Sequence, residues 1–143
     1  MVHAVAWFLP VVKGEVTFPD GLPGWQAFRV ASTAAWPYEG ITISPWYNVV
    51  LSTVSAATTV LFVLGAGWVF AIRSPRLRRV SAWIAVSAFI INAHWVLQFG
   101  LDFFALGIGY FLWWFSFLLL AIGLFYLSHA AESSVEWRKQ VKM

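Results

Sequence analysis

The sequence predicts an all-α integral membrane protein with three transmembrane helices, and three observations support this fold class. First, 61% of the 143 residues are hydrophobic and 10% are charged, whereas a soluble domain carries about 25% charged residues. Second, the stretch 103–128 contains no charged residue and no proline. As a helix it rises about 39 Å, more than the roughly 30 Å hydrocarbon core of a bilayer. Third, the stretches 47–72 and 80–98 lack Asp, Glu, Lys and Arg and are also long enough to cross.

The composition also excludes several kinds of chemistry. The absence of cysteine rules out disulfides, thiolate catalysis, iron–sulfur clusters and cysteine-based zinc sites. No charged residue lies inside a predicted span, and no phosphate-binding loop, metal-ligand cluster or activated nucleophile is recognisable. We therefore expect a protein that is not an enzyme and does not couple transport to an ion gradient.

Residues 1–12 form a short apolar N-terminal segment that contains Pro10. A segment of this length is too short to span a bilayer. Two interpretations are open: the segment is half-inserted or interfacial, or it docks against the other helices from one side.

Residues 13–46 are predicted to form an outside loop, because prolines punctuate the stretch. These are Pro19, Pro23, Pro37 and Pro45. Within the loop, Trp25, Phe28, Ser32 and Ala35 recur every three or four positions, a spacing that favours a helix near 25–35. Aromatic residues bracket the loop, so we expect this helix to be interfacial. An extended loop with scattered aromatic residues is the alternative.

The positive charges predict the orientation of the chain. Loop 73–79 contributes Arg73, Arg76, Arg78 and Arg79, and the tail 129–143 contributes Arg138, Lys139 and Lys142. These four and three make seven of the nine Lys and Arg residues. Because basic loops stay on the cytoplasmic side, we expect the 73–79 loop and the C-terminus to be cytoplasmic in a bacterial cytoplasmic membrane, with loop 13–46 outside. This topological role is favoured over binding of phosphate or nucleic acid, because spans flank the loop.

Two stripes of small residues are predicted to be helix-packing surfaces. One lies on the span 47–72 and includes Ser52, Ser55, Thr59 and Ala66. The other lies on 103–128, where Gly109, Ser116 and Gly123 repeat every seven residues. Small residues let helices approach closely in lipid. Each stripe suits either an internal helix pair or a partner subunit.

The candidate binding residues lie on the span 80–98. Ser87, Ile91, His94 and Gln98 share one helical face. Three hypotheses are open for His94: it ligates haem iron or a chlorophyll magnesium, passes protons together with Asp102, or binds a quinone headgroup with Gln98. The more ordinary alternative is a neutral histidine that hydrogen-bonds a neighbouring helix or a lipid headgroup. Of the other histidines, only His3 is expected near His94, because His129 falls at the cytoplasmic boundary.

The chain resembles a loose group of small bacterial polytopic membrane proteins. Three short motifs carry the resemblance: a PGW–A segment at Pro23-Gly24-Trp25, a helix start at Trp46-Tyr47-Asn48, and the pattern GYxLWxxS from Gly109 to Ser116. The similarity covers about residues 8–128 and implies a multi-span membrane protein. The group has no assigned activity, so the resemblance implies no functional residue.

Together these observations favour a non-catalytic accessory or scaffolding subunit of a larger membrane complex, of respiratory or photosynthetic type. Its expected partners are membrane lipids and other integral membrane subunits, and its expected cofactors are none or a bound lipid, pigment or quinone. One alternative is a pigment- or haem-binding subunit that uses His94. Another is a small oligomeric transporter or channel whose path is lined by Ser87, His94 and Gln98.

Overall fold

A computed structural model describes residues 1–13, 21–33, 35–36, 46–72, 74–99 and 105–140. Within these ranges, the side chains of 66–70, 98–99, 132 and 134–140 are not described. The described part contains six helices and one two-stranded sheet. The elements are α1 Val2–Ala6, β1 Pro10–Val12, β2 Leu22–Pro23, α2 Gly24–Ala31, α3 Trp46–Ala71, α4 Pro75–Asn92, α5 His94–Phe99 and α6 Ile108–Gln140.

Among the described residues, three helical stretches are long and apolar enough to cross a membrane. They are Trp46–Gly65, Pro75–Leu97 and Ile108–Ala131. This confirms the three predicted spans and identifies the chain as an integral membrane protein. Large apolar side chains such as Leu64 and Ile90 are about two thirds exposed on these helices. The spans therefore present apolar surface to lipid.

The most extensive helix packing joins α4 and α6. One face of α4 carries small residues, and α6 supplies large ones. Ala82, Ala85 and Ala88 of α4 are at most 5% exposed, and Tyr110 and Leu124 of α6 are at most 2% exposed. At the edge of this interface, the indole of Trp114 stacks on Phe89 with 4.6 Å between ring centroids and donates to the Phe89 carbonyl at 2.7 Å. Small residues on one helix thus make room for large residues on the other.

The start of α4 differs from the prediction. Pro75 is the first residue of the helix, so Arg76, Arg78 and Arg79 lie in its first two turns and not in a loop over 73–79. Proline suits this position because the first helical N–H has no intrahelical acceptor. The Arg78 side chain donates to the carbonyl oxygen of Ile72 at 2.9 Å and to that of Leu127 at 3.3 Å. It therefore ties the end of α3 and the middle of α6 to the start of α4. Arg73 lies outside the described residues.

The predicted span over 80–98 is helical but contains a break, because α4 ends at Asn92 and α5 begins at His94. The break has a physical cause. The carbonyl oxygen of Asn92 accepts a hydrogen bond from the Tyr110 hydroxyl at 2.8 Å. The amide of Val96, four residues further on, instead donates to the carbonyl of Ala93 at 3.0 Å. A side chain that enters the helical ladder in this way interrupts it.

The longest helix is α6, whose 33 residues run from Ile108 to Gln140. It begins later than the predicted span 103–128, whose first residues, 103 and 104, lie outside the described part. It also continues far into the predicted tail 129–143. The charged residues after 131 mark where the sequence leaves hydrocarbon, and they do not end the helix.

The N-terminal segment, residues 1–13, turns back onto the spans. In α1, the ring of His3 stacks on Phe62 of α3 at 4.0 Å, and its Nδ1 lies 2.8 Å from the hydroxyl oxygen of Ser116 in α6. The chain then becomes the strand β1 at Pro10, whose ring cannot continue a helix. The amide of Gly107 donates to the Val11 carbonyl at 2.7 Å. Hydrogen bonds therefore anchor both α1 and β1 to α6 or to the residue just before it.

The helix predicted near 25–35 is present as α2, over Gly24–Ala31. Its first two N–H groups donate to the carbonyl oxygens of Leu9 and Trp7, each at 3.1 Å. Helices leave their first N–H groups without intrahelical acceptors, so the N-terminal segment supplies the missing ones. Packing against α3 then holds α2 across the space between α3 and the N-terminal segment.

Two glycines of α6 provide a matched test of this packing. A Cβ on Gly109 would lie 2.7 Å from the Leu9 carbonyl oxygen and 2.9 Å from that of Pro10, whereas a Cβ on Gly123 would meet nothing within 4 Å. We expect Gly109→Ala to lower the free energy of unfolding by about 1–3 kcal/mol, because backbone has to move. Gly123→Ala should be neutral or stabilising by up to about 1 kcal/mol, because alanine favours helix. Denaturant titration in detergent measures both, and equal effects would contradict the described packing.

Candidate functional site

The side chain of Asn92 is the centre of a buried polar cluster. Asn92 is 0% exposed. Its Oδ1 accepts from the Ser55 hydroxyl at 2.5 Å, and its Nδ2 donates to the Thr58 hydroxyl oxygen at 2.9 Å and to the Ala88 carbonyl at 2.8 Å. Both amide hydrogens and the amide oxygen are therefore paired. An amide satisfied in this way joins α3 to α4 where no water is available to replace its partners.

Two aromatic residues complete the cluster from α5 and α6. The indole N–H of Trp95 donates to the Ser55 hydroxyl oxygen at 3.3 Å. The Tyr110 hydroxyl, 2% exposed as a residue, donates to the backbone carbonyl of Asn92. We call Ser55, Thr58, Asn92, Trp95 and Tyr110 the Asn92 cluster. It brings together four helices at one level of the bundle.

A cavity of about 240 Å³ lies beside the Asn92 cluster. The N-terminal segment and α2 cover it, chiefly through Trp7, Ala27, Phe28 and Ala31. Its floor is formed by α3, α5 and α6, with Ser55, Ala56, Thr59, Trp95, Tyr110 and Trp113. The cavity thus has a cover whose polar side-chain group is the Trp7 indole, and a floor on which the polar groups are hydroxyls and indoles.

The size of the cavity limits what it can hold. A cavity of about 150 Å³ accommodates benzene, and drug-sized ligands occupy about 300–1,000 Å³. The volume of about 240 Å³ lies between these values. It suits a small ring with a short side chain, or one segment of a longer lipid.

The predicted helix-packing stripes are mostly used inside the chain. Ser52, Ser55 and Thr59 are at most 3% exposed, and the last two also line the cavity. On α6, Gly109 approaches the carbonyl oxygens of Leu9 and Pro10, and Ser116 approaches His3. Gly123 is exposed. The side chain of Ala66 is not among those described.

His94 lies next to the cavity but does not line it. Its Nδ1 is 2.9 Å from the Ile91 carbonyl oxygen. Because a carbonyl only accepts, Nδ1 carries the hydrogen and Nε2 presents an electron pair. That Nε2 is enclosed and has no partner among the described residues. Ser87, on α4, is exposed, while the side chain of Gln98 and all of Asp102 fall outside the described part. The proton-relay and quinone hypotheses for these pairs therefore stay predictions.

The neighbours of His3 likewise determine which of its ring nitrogens carries the hydrogen. The Ser116 hydroxyl donates to the Trp113 carbonyl at 2.5 Å, so its oxygen accepts from the Nδ1 hydrogen of His3. The Nε2 electron pair of His3 is enclosed without a partner among the described residues. No group of three His, Cys, Asp or Glu side chains that could hold a metal occurs within the described ranges.

Asn92 was not among the predicted binding residues, because a helical spacing of about 100° per residue places it about 160° around the helix from His94. A usable signal was present, because Ala82, Ala85, Ala88 and Asn92 recur at steps of three, three and four. An amide that continues a face of small residues is placed where another helix comes close. The roles of Tyr110 and Trp113 had no such signal, since several other aromatic residues share the same side of that span.

Comparisons of the chain with protein-family models, with curated proteins and with solved structures find no match. Its function is therefore inferred from the arrangement of its own residues.

We expect Asn92→Leu to destabilise the fold, because it keeps the volume and removes every side-chain hydrogen bond of Asn92. The free energy of unfolding should fall by about 2 kcal/mol, since the Ser55 hydroxyl loses its acceptor in a dry interior. Ser87→Leu on the exposed face of the same helix is the control and should change it by less than about 0.5 kcal/mol. Thermal unfolding in detergent measures both. Equal stability of the two variants would show that the Asn92 cluster does not hold the helices together.

Proposed function

We propose that this protein is a non-catalytic subunit of a larger membrane complex and that it holds one small lipid-soluble molecule in the cavity beneath α2. The observation that carries the proposal is the cavity itself. Its surface is almost entirely apolar and is formed mainly by aliphatic and aromatic side chains, and the hydroxyl-bearing residues Ser55 and Thr59 line one side of it. This combination is the usual character of a small-molecule site.

The hydrogen bonds of the floor support a binding role over catalysis. The Ser55 hydroxyl donates to the amide oxygen of Asn92, and the Thr59 hydroxyl donates to the Ser55 carbonyl at 3.2 Å. A nucleophilic hydroxyl needs a basic group as its acceptor, and neither of these acceptors is basic. The two hydroxyls are therefore not activated as nucleophiles, and this favours binding over catalysis.

Two open glycines support association with other subunits. Gly65 on α3 and Gly123 on α6 have no neighbouring atom within 4 Å of an added Cβ. Small residues on membrane helices permit close contact with a further helix. These positions are open to a partner, whereas Ser52, Ser55, Thr59, Gly109 and Ser116 are buried within the chain. A respiratory or photosynthetic assembly is the kind of complex proposed.

The charge distribution supports an orientation in a bacterial cytoplasmic membrane. With the first two turns of α4 on the cytoplasmic side, Arg76, Arg78 and Arg79 obey the positive-inside rule. Loop 13–46 and α2 then lie outside, and α2 is an interfacial helix that covers the cavity at the outer surface. A lipid-soluble molecule reaches such a site from the outer leaflet.

Native mass spectrometry after gentle detergent extraction tests the proposed function. Wild-type protein is expected to retain a bound molecule. Ala56→Phe should lose it, because Ala56 lines the floor and is 8% exposed. Ala57→Phe, the adjacent but exposed position, is the matched control and should retain it.

Retention by both variants, or an empty wild-type protein, would show that the cavity is not a ligand site. The same spectra report partner subunits. A lone chain of 16.1 kDa in the gentlest extraction would contradict membership of a complex.

A second candidate function, ligation of a pigment or haem by His94, has one observation in its favour. A histidine that ligates a metal usually donates its other ring N–H to a carbonyl or carboxylate. His94 makes this bond to Ile91 and keeps Nε2 without a partner among the described residues.

For this candidate, protein purified from its native membrane should show a visible absorption band. The band should disappear in His94→Ala and persist in Ser87→Ala, which alters an exposed position on α4. An unchanged visible spectrum in His94→Ala would exclude the candidate.

A further inference from the structure

The polar side chains on the floor of the cavity have all used their hydrogens within the protein. The Ser55 and Thr59 hydroxyls donate to Asn92 Oδ1 and to the Ser55 carbonyl. The Tyr110 hydroxyl donates to the Asn92 carbonyl. A hydroxyl has one hydrogen, so none of the three has a hydrogen left for an occupant of the cavity.

The N–H groups of the two indoles on the floor also donate within the protein. Trp95 donates its N–H to the Ser55 oxygen at 3.3 Å, and Trp113 donates its N–H to the Thr59 oxygen at 3.2 Å. An indole has no acceptor, so neither ring has further capacity. Each hydroxyl oxygen has two lone pairs and accepts one of these bonds. Ser55 and Thr59 therefore each keep one accepting position.

We propose that the cavity selects a lipophilic molecule that carries a hydrogen-bond donor, an alcohol or a phenol, whose hydroxyl lies against Ser55 and Thr59. This inference rests on the proposed function and specifies its ligand class. Ketones, ethers, esters and quinones of the same size have polar atoms that only accept hydrogen bonds. On this floor such an atom faces the lone pairs of the Ser55 and Thr59 oxygens and finds no donor. It loses water on entry and gains no partner there.

The cover contributes one more polar group to the wall, the indole of Trp7, which stacks on Phe28 at 5.4 Å. This indole is a donor, so an acceptor-only molecule that turned its polar end toward the cover could bind there. Trp7→Phe keeps the aromatic ring and removes that N–H. The test is therefore made in both the wild-type and the Trp7→Phe proteins.

Three probes of nearly equal shape test the inference: 4-butylphenol, 4-butylanisole and butylbenzene. The first donates and accepts, the second only accepts, and the third does neither. Equilibrium dialysis against detergent-solubilised full-length protein gives each affinity relative to detergent without protein. The phenol should bind roughly 2- to 10-fold more tightly than the anisole, as expected for one net hydrogen bond. The anisole should bind no better than butylbenzene.

Thr59→Val sharpens the test because it leaves the indole N–H of Trp113 without its acceptor. The floor then offers a donor, and the preference for the phenol should disappear or reverse toward the anisole. Thr53→Val is the matched control. Thr53 lies on the same helix, donates to the Val49 carbonyl at 2.7 Å and does not line the cavity. This variant should keep the wild-type preference.

The outcomes separate the inference from the proposed function. If none of the three probes binds, the proposed function fails. If all three bind equally, or if the anisole binds most tightly in both the wild-type and Trp7→Phe proteins, the cavity is a ligand site and the donor preference is wrong. A phenol preference that Thr59→Val leaves unchanged also overturns it.

Discussion

The hydrogen bonding of Asn92 is the constraint on which much of the rest depends. A polar group in a membrane interior must find its partners within the protein, and Asn92 finds them on α3 and on its own helix. Its backbone carbonyl is bound by Tyr110 of α6, and this bond breaks the helix after Asn92. The short helix α5 then places Trp95 against Ser55. One residue thus fixes the helix arrangement and the polar floor of the cavity.

The cover of the cavity depends on a different kind of contact, the close approach of backbone to backbone. The carbonyl oxygens of Leu9 and Pro10 lie over Gly109, where a side chain would collide with them. The same stretch of chain supplies acceptors for the first amides of α2. A segment too short to span therefore still positions α2. Because α2 rests on this segment and on α3, the cavity lies between α2 and the residues of α5 and α6 that line it.

The spans were predictable because lipid imposes a simple rule: long uncharged stretches cross, and Ser52, Ser55 and Thr59 face protein. The helix ends were less predictable. Charge marks the edge of the hydrocarbon and not the end of a helix, so Arg76 and Arg78 fall inside α4, and α6 continues past Ser128. The cavity was not predictable at all, since it depends on pairing between the N-terminal segment and residues about 100 positions later. His94 attracted attention as a titratable residue, whereas the nearby Asn92, which cannot titrate, organises the site.

The length of α6 has a mechanical consequence. Its 33 residues rise about 50 Å, which exceeds the roughly 30 Å hydrocarbon core by about 20 Å. Several turns therefore project beyond one face of the membrane as a direct continuation of the span. No break separates the projecting end from the part that carries Tyr110 and Trp113 at the cavity floor. The projecting end and the α6 residues of the cavity floor belong to one continuous helix, so a change in the tilt of the span displaces both together.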